Sequence, residues 1–293
     1  MNKAIQIYAS GDHYHQVQET LPDLKELTQQ VTGKSFRRIG RFIQLAMIGA
    51  ARCTQLSVPK NTAVYLSSGR GDLELTVEIM TELFLRSQTP KPLAFVNTVS
   101  NAACFYVAQL LGLKSRSNYV CNLHFAFESV LQLAATDLLL GNTTSALVGS
   151  IDVVTQPVND HRQRLKLASD TTVGEGSHWL WLGTSDISKP RLGDLIAAEH
   201  FNEKEPLIEW IRQQSPEKLA LSFGQHVNTT DQGILRSLIT HEQVFDYRVN
   251  RAYYDCHSGA AIGEFLRSDC LAQTLLHINA DRDGRYSVML VNR

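Results

Sequence analysis

Two groups of residues in this 293-residue chain have types and spacing suited to chemistry on a carbonyl compound. The first is Cys121-Asn122-Leu123-His124, which ends directly before an apolar helical stretch. A side chain at the start of a buried helix meets free backbone N–H groups and the positive end of the helix dipole, so a thiolate there is favoured as a nucleophile. The second is His257, which precedes the small-residue run Gly259-Ala260-Ala261-Ile262-Gly263. Cys121 or His124 with His257 would suit acyl transfer or thioester hydrolysis. Each also has a plain structural reading, His124 as a cap residue and His257 as a packed core histidine. The five cysteines (Cys53, Cys104, Cys121, Cys256, Cys270) are odd in number and show no C-x-x-C pair. They read as reduced thiols of a cytoplasmic protein, and no metal or cofactor is expected. Ser68-Gly69-Arg70-Gly71 lacks the fingerprint of a nucleotide loop.

The elements that must position these residues alternate between strand and helix signals. Residues 3–9 read as a strand, and Ile39, Phe42, Ile43, Ala46, Ala50 and Cys53 recur at helical spacing between Ser35 and Thr54. A strand over 62–67 closes on the glycine loop, and a helix follows to about Leu85. Ala102–Leu113 reads as a helix, Asn118–Leu123 as a strand, and Phe125–Gly141 as a helix apolar on a broad face. Ala146–Val154 is nearly continuous in apolar residues, as a strand covered on both faces must be. After the polar stretch Asn159–Asp170 come Gly174-Glu175-Gly176 and the alternating Trp179-Leu180-Trp181-Leu182. A strand at 218–222, a helix near 231–240, a helix from Gly259 to about Leu276 and a strand Tyr286–Val291 complete the series.

Four stretches carry a resemblance to the β-ketoacyl synthases of the thiolase superfamily. Arg41-Phe42-Ile43-Gln44-Leu45-Ala46 is similar to the family's "RF-x-QLA" segment, and the run from Phe127 to Asp152 resembles the helix and strand that follow its nucleophile. Gly174-Glu175-Gly176 resembles "GEGA", and His257–Gly263 resembles "GH-x-x-GAAG". The resemblance implies an α/β, layered αβαβα thiolase-like fold of two related halves, residues 1–170 and 171–293, in one compact unit. The length is shorter than that of a full ketosynthase, which implies a truncated second half.

The same resemblance implies that the chemistry is disabled. Counting back about 17 residues from Gly141, or forward from Gly112-Leu113, places His124 at the nucleophile position. His257 matches a family histidine, and Ala252 stands at the family's lysine position. The "HGTGT" segment falls on Ser222–Asn228, with Gly224 at the histidine position in an ungapped match and His226 only after a shift. Asn279–Arg285 replaces a glycine-rich loop with two acids and two arginines. An imidazole forms no stable transferable thioester, so no catalytic residue is expected. The implied role is that of a chain length factor, paired with a catalytic ketosynthase as a heterodimer in polyketide, aryl polyene or fatty-acid-like biosynthesis. Tunnel positions would be Val99, Ala102, Ala103, Phe105, Phe125 and Phe127, and Lys34, Arg37, Arg38 and Arg41 would form a solvated face or dock an acyl carrier protein. The alternative is a thiolase-fold acyltransferase or thioesterase with altered residues.

The totals exclude other classes. With 43% apolar and 19% charged residues and a net charge of −1, the chain is expected to fold and to bind neither nucleic acid nor an anionic surface. No apolar run reaches the ~18 residues of a membrane span.

Overall fold

The computed structural model describes residues 4–17, 21–99, 101–184, 187, 189–214, 219–239, 243–248 and 252–293. Its ten strands are β1 (Ile5–Val17), β2 (Ala63–Ser68), β3 (Ser117–Cys121), β4 (Ser145–Asp152), β5 (Val173–Gly183), β6 (Gly193–Phe201), β7 (Leu219–Phe223), β8 (Gln243–Val244), β9 (Thr274–Ala280) and β10 (Tyr286–Asn292). They run in the order β3-β2-β4-β5-β1-β6-β10-β9-β7-β8.

This order is a repeat. Read outward from the centre, the first five strands and the last five follow the same plan, with β1 matching β6, β2 matching β7, and so on. In each half the inner strands pair antiparallel and the outer ones parallel. The halves join where β1 and β6 pair antiparallel over only three residues, Ile5–Ile7 against Gly193–Leu195. Strand pairing groups β5 with β1 and β4 of the first half. The second half keeps all five strands, and its third, β8, has two residues among those described.

Apolar residues on both faces of the strands dictate the layers. Leu180 and Leu182 face a central core while Trp179 and Trp181 face an outer one; Leu275 faces inward while Leu276 and Ile278 face outward. The central core is filled by two helices, α6 (Ala126–Leu139) and α10 (Gly259–Arg267), one from each half. The outer face of the first half is covered by α2 (Arg41–Thr54) and α5 (Ala102–Leu111), and that of the second by α8 (Lys204–Gln213) and α9 (Thr229–Ser237). The result is the αβαβα order. The layers approach closely: a β carbon on Gly49 of α2 would fall 2.2 Å from Ser177 Oγ and 2.5 Å from Trp179 Cδ1.

Some expected boundaries move. The helix expected from Ser35 starts at Arg41, because Gly40 is extended. The helix expected to reach Leu276 stops at Arg267, and residues 274–280 form a strand whose other face packs on α8 and α9. Strand β6, helix α8 and the first helix α1 (Lys25–Thr32) have no counterpart in the sequence reading. Short helices α3 (Leu73–Met80), α4 (Pro92–Asn97) and α7 (Val158–Arg164) complete the chain, with a π-helical turn over Thr81–Leu85. Among the described residues no helix is long and apolar enough to cross a membrane.

Candidate active site at the starts of the central helices

The two central helices begin at the carboxyl ends of the parallel strands, where α/β proteins usually bind ligands. His124 stands two residues before α6, and His257 two residues before α10, so the two histidines occupy matching positions in the repeat. Among the described residues no side chain caps α6 at Phe125. Asn279, at the end of β9, spans the join: its amide donates to the main-chain oxygen of His124 at 3.2 Å and to Glu128 Oε1 at 2.8 Å.

The side chain brought to His124 is His226. Their rings meet edge to face with centroids 5.2 Å apart, and both are half-buried. His226 lies in the loop between β7 and α9, and the chain reaches it after Gly224, where a β carbon would strike the Asn279 amide at 2.0 Å. Gly224 thus serves close backbone approach and His226 supplies the ring. Behind His226, Nε2 lies 3.3 Å from the Tyr253 hydroxyl, which donates to Asp255 Oδ1 at 2.7 Å; Asp255 in turn is ion-paired with Arg70 Nε at 2.9 Å. Burial pushes the pKa values of His124 and His226 down, keeping both neutral at pH 7. Burial, reinforced by the Asp255 charge, pushes the Tyr253 phenol up.

His257 is 4% exposed and sits among tyrosines. Its Nδ1 donates to the Tyr254 carbonyl at 3.0 Å, and its ring stacks on Tyr247 and lies beside Tyr253 and Tyr254. Ala252 is buried, with a β carbon on Gly174 brought to 2.9 Å of its own. Cys121, on the sheet edge, donates to the Gly69 carbonyl at 3.4 Å. Burial raises its pKa, and the Asp152 charge adds to the effect. Cys53 and Cys104 are buried and pushed up to about 12, and Cys256 is raised further by burial and Asp152. Asp152 itself is raised by burial and by Asp255, and it accepts from Ser68 Oγ, Gly69 N and Cys256 N. That triple acceptance stitches the ends of β2 and β4 to the loop before α10.

The expected tunnel residues are not gathered around one channel within this chain. Ala103 lies in the outer core and Phe127 in the central core on the other side of the sheet, whereas Val99 and Phe105 are 54% and 61% exposed. Ala102 is half-buried, and Phe125 packs against His200 of β6. The expected basic face is also divided. Lys34, Arg37 and Arg38 are exposed in the loop before α2, but Arg41 turns inward. It bonds both oxygens of Glu175, a fully buried carboxylate, because a buried charge needs a partner of opposite sign. The charges expected to spoil the last loop satisfy one another: Arg285 pairs with Asp281, Asp281 accepts N–H groups of Asp283 and Arg285, and Arg282 donates to the Leu165 carbonyl. Among the described residues no group of three or more histidine, cysteine or acidic side chains is placed to hold a metal.

Sequence reasoning gave His226 only as a shifted match and did not reach Tyr253, Asp255 or Arg70. The signal available was the run Tyr253-Tyr254-Asp255-Cys256-His257, a block of titratable groups in front of a small-residue helix.

Comparison with solved structures bears on the fold. The chain is similar to the ishigamide ketosynthase/chain length factor (TM-score 0.79, 14% identity, 99% of each chain covered). It is similar too to the AntDE:AntF complex of a type II polyketide ketosynthase and its acyl-carrier protein (0.77, 11%, 99% of each). A β-ketoacyl synthase from Burkholderia phymatum STM815 follows (0.70, 11%, 99% of each). The chain has the ketosynthase fold. No family model and no curated protein sequence matches it. The similarity runs over 99% of this chain in each of the three.

Proposed function

We propose that this chain is a non-condensing ketosynthase-fold subunit that pairs with an active β-ketoacyl synthase and shapes the channel for the growing acyl chain, as a chain length factor does. The observation that carries the reading is His124. An imidazole stands two residues before α6, where the sequence resemblance puts the nucleophilic thiol, and the nearest cysteine in sequence, Cys121, donates to the Gly69 carbonyl, with burial and the Asp152 charge raising its pKa. Condensation needs a thioester stored on the protein, and in this reading His124 carries an imidazole in place of a thiol.

The surface beside β3 supports pairing. β3 ends the sheet, so among the described residues one side of its backbone has no strand partner. α5 packs beside β3, and α5 with the elements that precede it in the chain exposes large apolar side chains: Phe84 72%, Leu85 81%, Phe95 61%, Val96 60%, Val99 54% and Phe105 61%. Monomeric proteins rarely leave so many on neighbouring elements uncovered. In this reading Val99, Ala102 and Phe105 are the residues that reach the channel from this side, the pathway is of polyketide or aryl polyene type, and Lys34, Arg37 and Arg38 face the carrier protein. The test is co-expression with a β-ketoacyl synthase from the same organism, followed by size-exclusion chromatography with mass determination. A one-to-one complex is expected; a monodisperse monomer that ignores the ketosynthase overturns the reading.

A further inference from the structure

Loss of the thiol has not left the start of α6 chemically empty. Asp255 is ion-paired with Arg70, so it is a carboxylate and only accepts hydrogen bonds. The Tyr253 hydroxyl spends its proton on Asp255, and its oxygen must then accept from His226 Nε2. This order of donors fixes the tautomer of His226: Nε2 carries the proton and Nδ1 keeps a lone pair. Ring orientation is fixed as well, by the edge of His124 on one side and the Tyr253 ring, 5.9 Å away, on the other. A carboxylate–phenol–imidazole relay of this kind does what the acid of a catalytic triad does for its histidine. The pair is half-buried, and α6 begins two residues beyond His124 with no side-chain cap among the described residues.

We infer that His226, aligned by Tyr253 and Asp255, is a general base that hydrolyses an acyl thioester presented at the start of α6. The thioester as substrate class rests on the proposed partner-subunit reading. Water adds to the thioester carbonyl carbon as His226 Nδ1 takes one of its protons, and the oxyanion faces the α6 N–H groups. The C–S bond then breaks, and the departing thiolate takes the proton from His226. A carboxylic acid and a free thiol result, with no oxidant or cofactor consumed. The activity would clear acyl groups that enter this subunit and cannot be extended there. His124, Tyr253, Asp255, Asp281 and Arg282 are the titratable and charged groups that act on His226, and burial outweighs them in keeping the ring neutral.

The experiment uses octanoyl-N-acetylcysteamine as probe, with the full chain alone and in complex with a ketosynthase partner whose own cysteine is replaced by alanine. Thiol release and octanoic acid are both measured between pH 5 and 8. The expected result is multiple-turnover hydrolysis that is flat near neutral pH and falls below it, reduced at least 100-fold in His226→Gln. Tyr253→Phe, which keeps the ring but frees the His226 tautomer, should cost about tenfold and move the pH midpoint, which loss of packing alone does not do. Circular dichroism confirms that each variant is folded. Hydrolysis at the buffer rate by the wild type, or an unaltered rate in folded His226→Gln, overturns the inference. Size-exclusion chromatography on the same samples keeps the two readings apart: a complex that forms but does not hydrolyse sinks the hydrolase alone, and hydrolysis without pairing sinks the partner-subunit reading alone.

Discussion

The side-chain amide of Asn279 donates to Glu128 Oε1 at 2.8 Å, and this one contact ties the last parallel strand of the second half to the central helix of the first. Glu128 is 1% exposed, and burial raises its pKa. The same amide holds the carbonyl of His124, so it also fixes the point at which α6 begins.

Asn279→Ala is therefore expected to lower stability by about 1–3 kcal/mol, since it removes one donor from a buried carboxyl and one from the His124 carbonyl. Urea denaturation measures this. The double variant Glu128→Leu/Asn279→Leu should recover part of the loss, because removing both partners leaves less unsatisfied than removing one.

Replacing His124 by cysteine should recreate a thiol at the start of a buried helix. Its iodoacetamide reaction at pH 7 should run roughly tenfold faster than that of Cys121, whose thiol is held protonated by burial and by Asp152. Mass spectrometry of the labelled peptides distinguishes the two sites. Equal rates would mean that His124 does not occupy the nucleophile position.

The exposed apolar side chains beside β3 give a direct test of pairing. Phe105→Asp and Phe95→Asp each place a charge where large uncovered rings now stand. Each should weaken the complex with the ketosynthase by roughly 100-fold in Kd, with little change in the melting temperature of the isolated chain. Titration calorimetry or surface-immobilised binding reads the first and thermal scanning the second.

His277 is fully buried, and burial brings its pKa down to about 3 from an ordinary 6.5. The folded chain holds the ring neutral where the unfolded chain would protonate it. Its contribution to stability is thus complete above pH 6.5 and is lost as pH falls toward 3. Between pH 7 and 5, wild type should lose about 2 kcal/mol more than His277→Phe, as judged by urea unfolding at each pH. Parallel pH profiles for the two proteins would contradict this.

Most of the fold was legible in the sequence, for physical reasons that particular residues show. Trp179-Leu180-Trp181-Leu182 and Ala146-Leu147-Val148 read as strands because both faces of the sheet are covered, and the structure puts alternate residues in different cores. The stretch after Arg267 misled because apolar residues continue through Leu275 and Leu276 with no glycine or proline to announce the strand β9. The candidate site was legible only in part. His124 and His257 are flagged by the helices they precede, but the partners of His124 come from three loops, and no local spacing encodes that Arg70, His226 and Tyr253 converge. Arg41 shows the same limit in reverse. Its helical spacing suits a solvated face, while its actual partner, Glu175, lies 134 residues away.

β3 ends the sheet with five residues, and among the described residues no strand lies outside it. A strand added to such an edge pairs through the backbone at fixed spacing, so a partner joined there would be held in alignment as well as in contact.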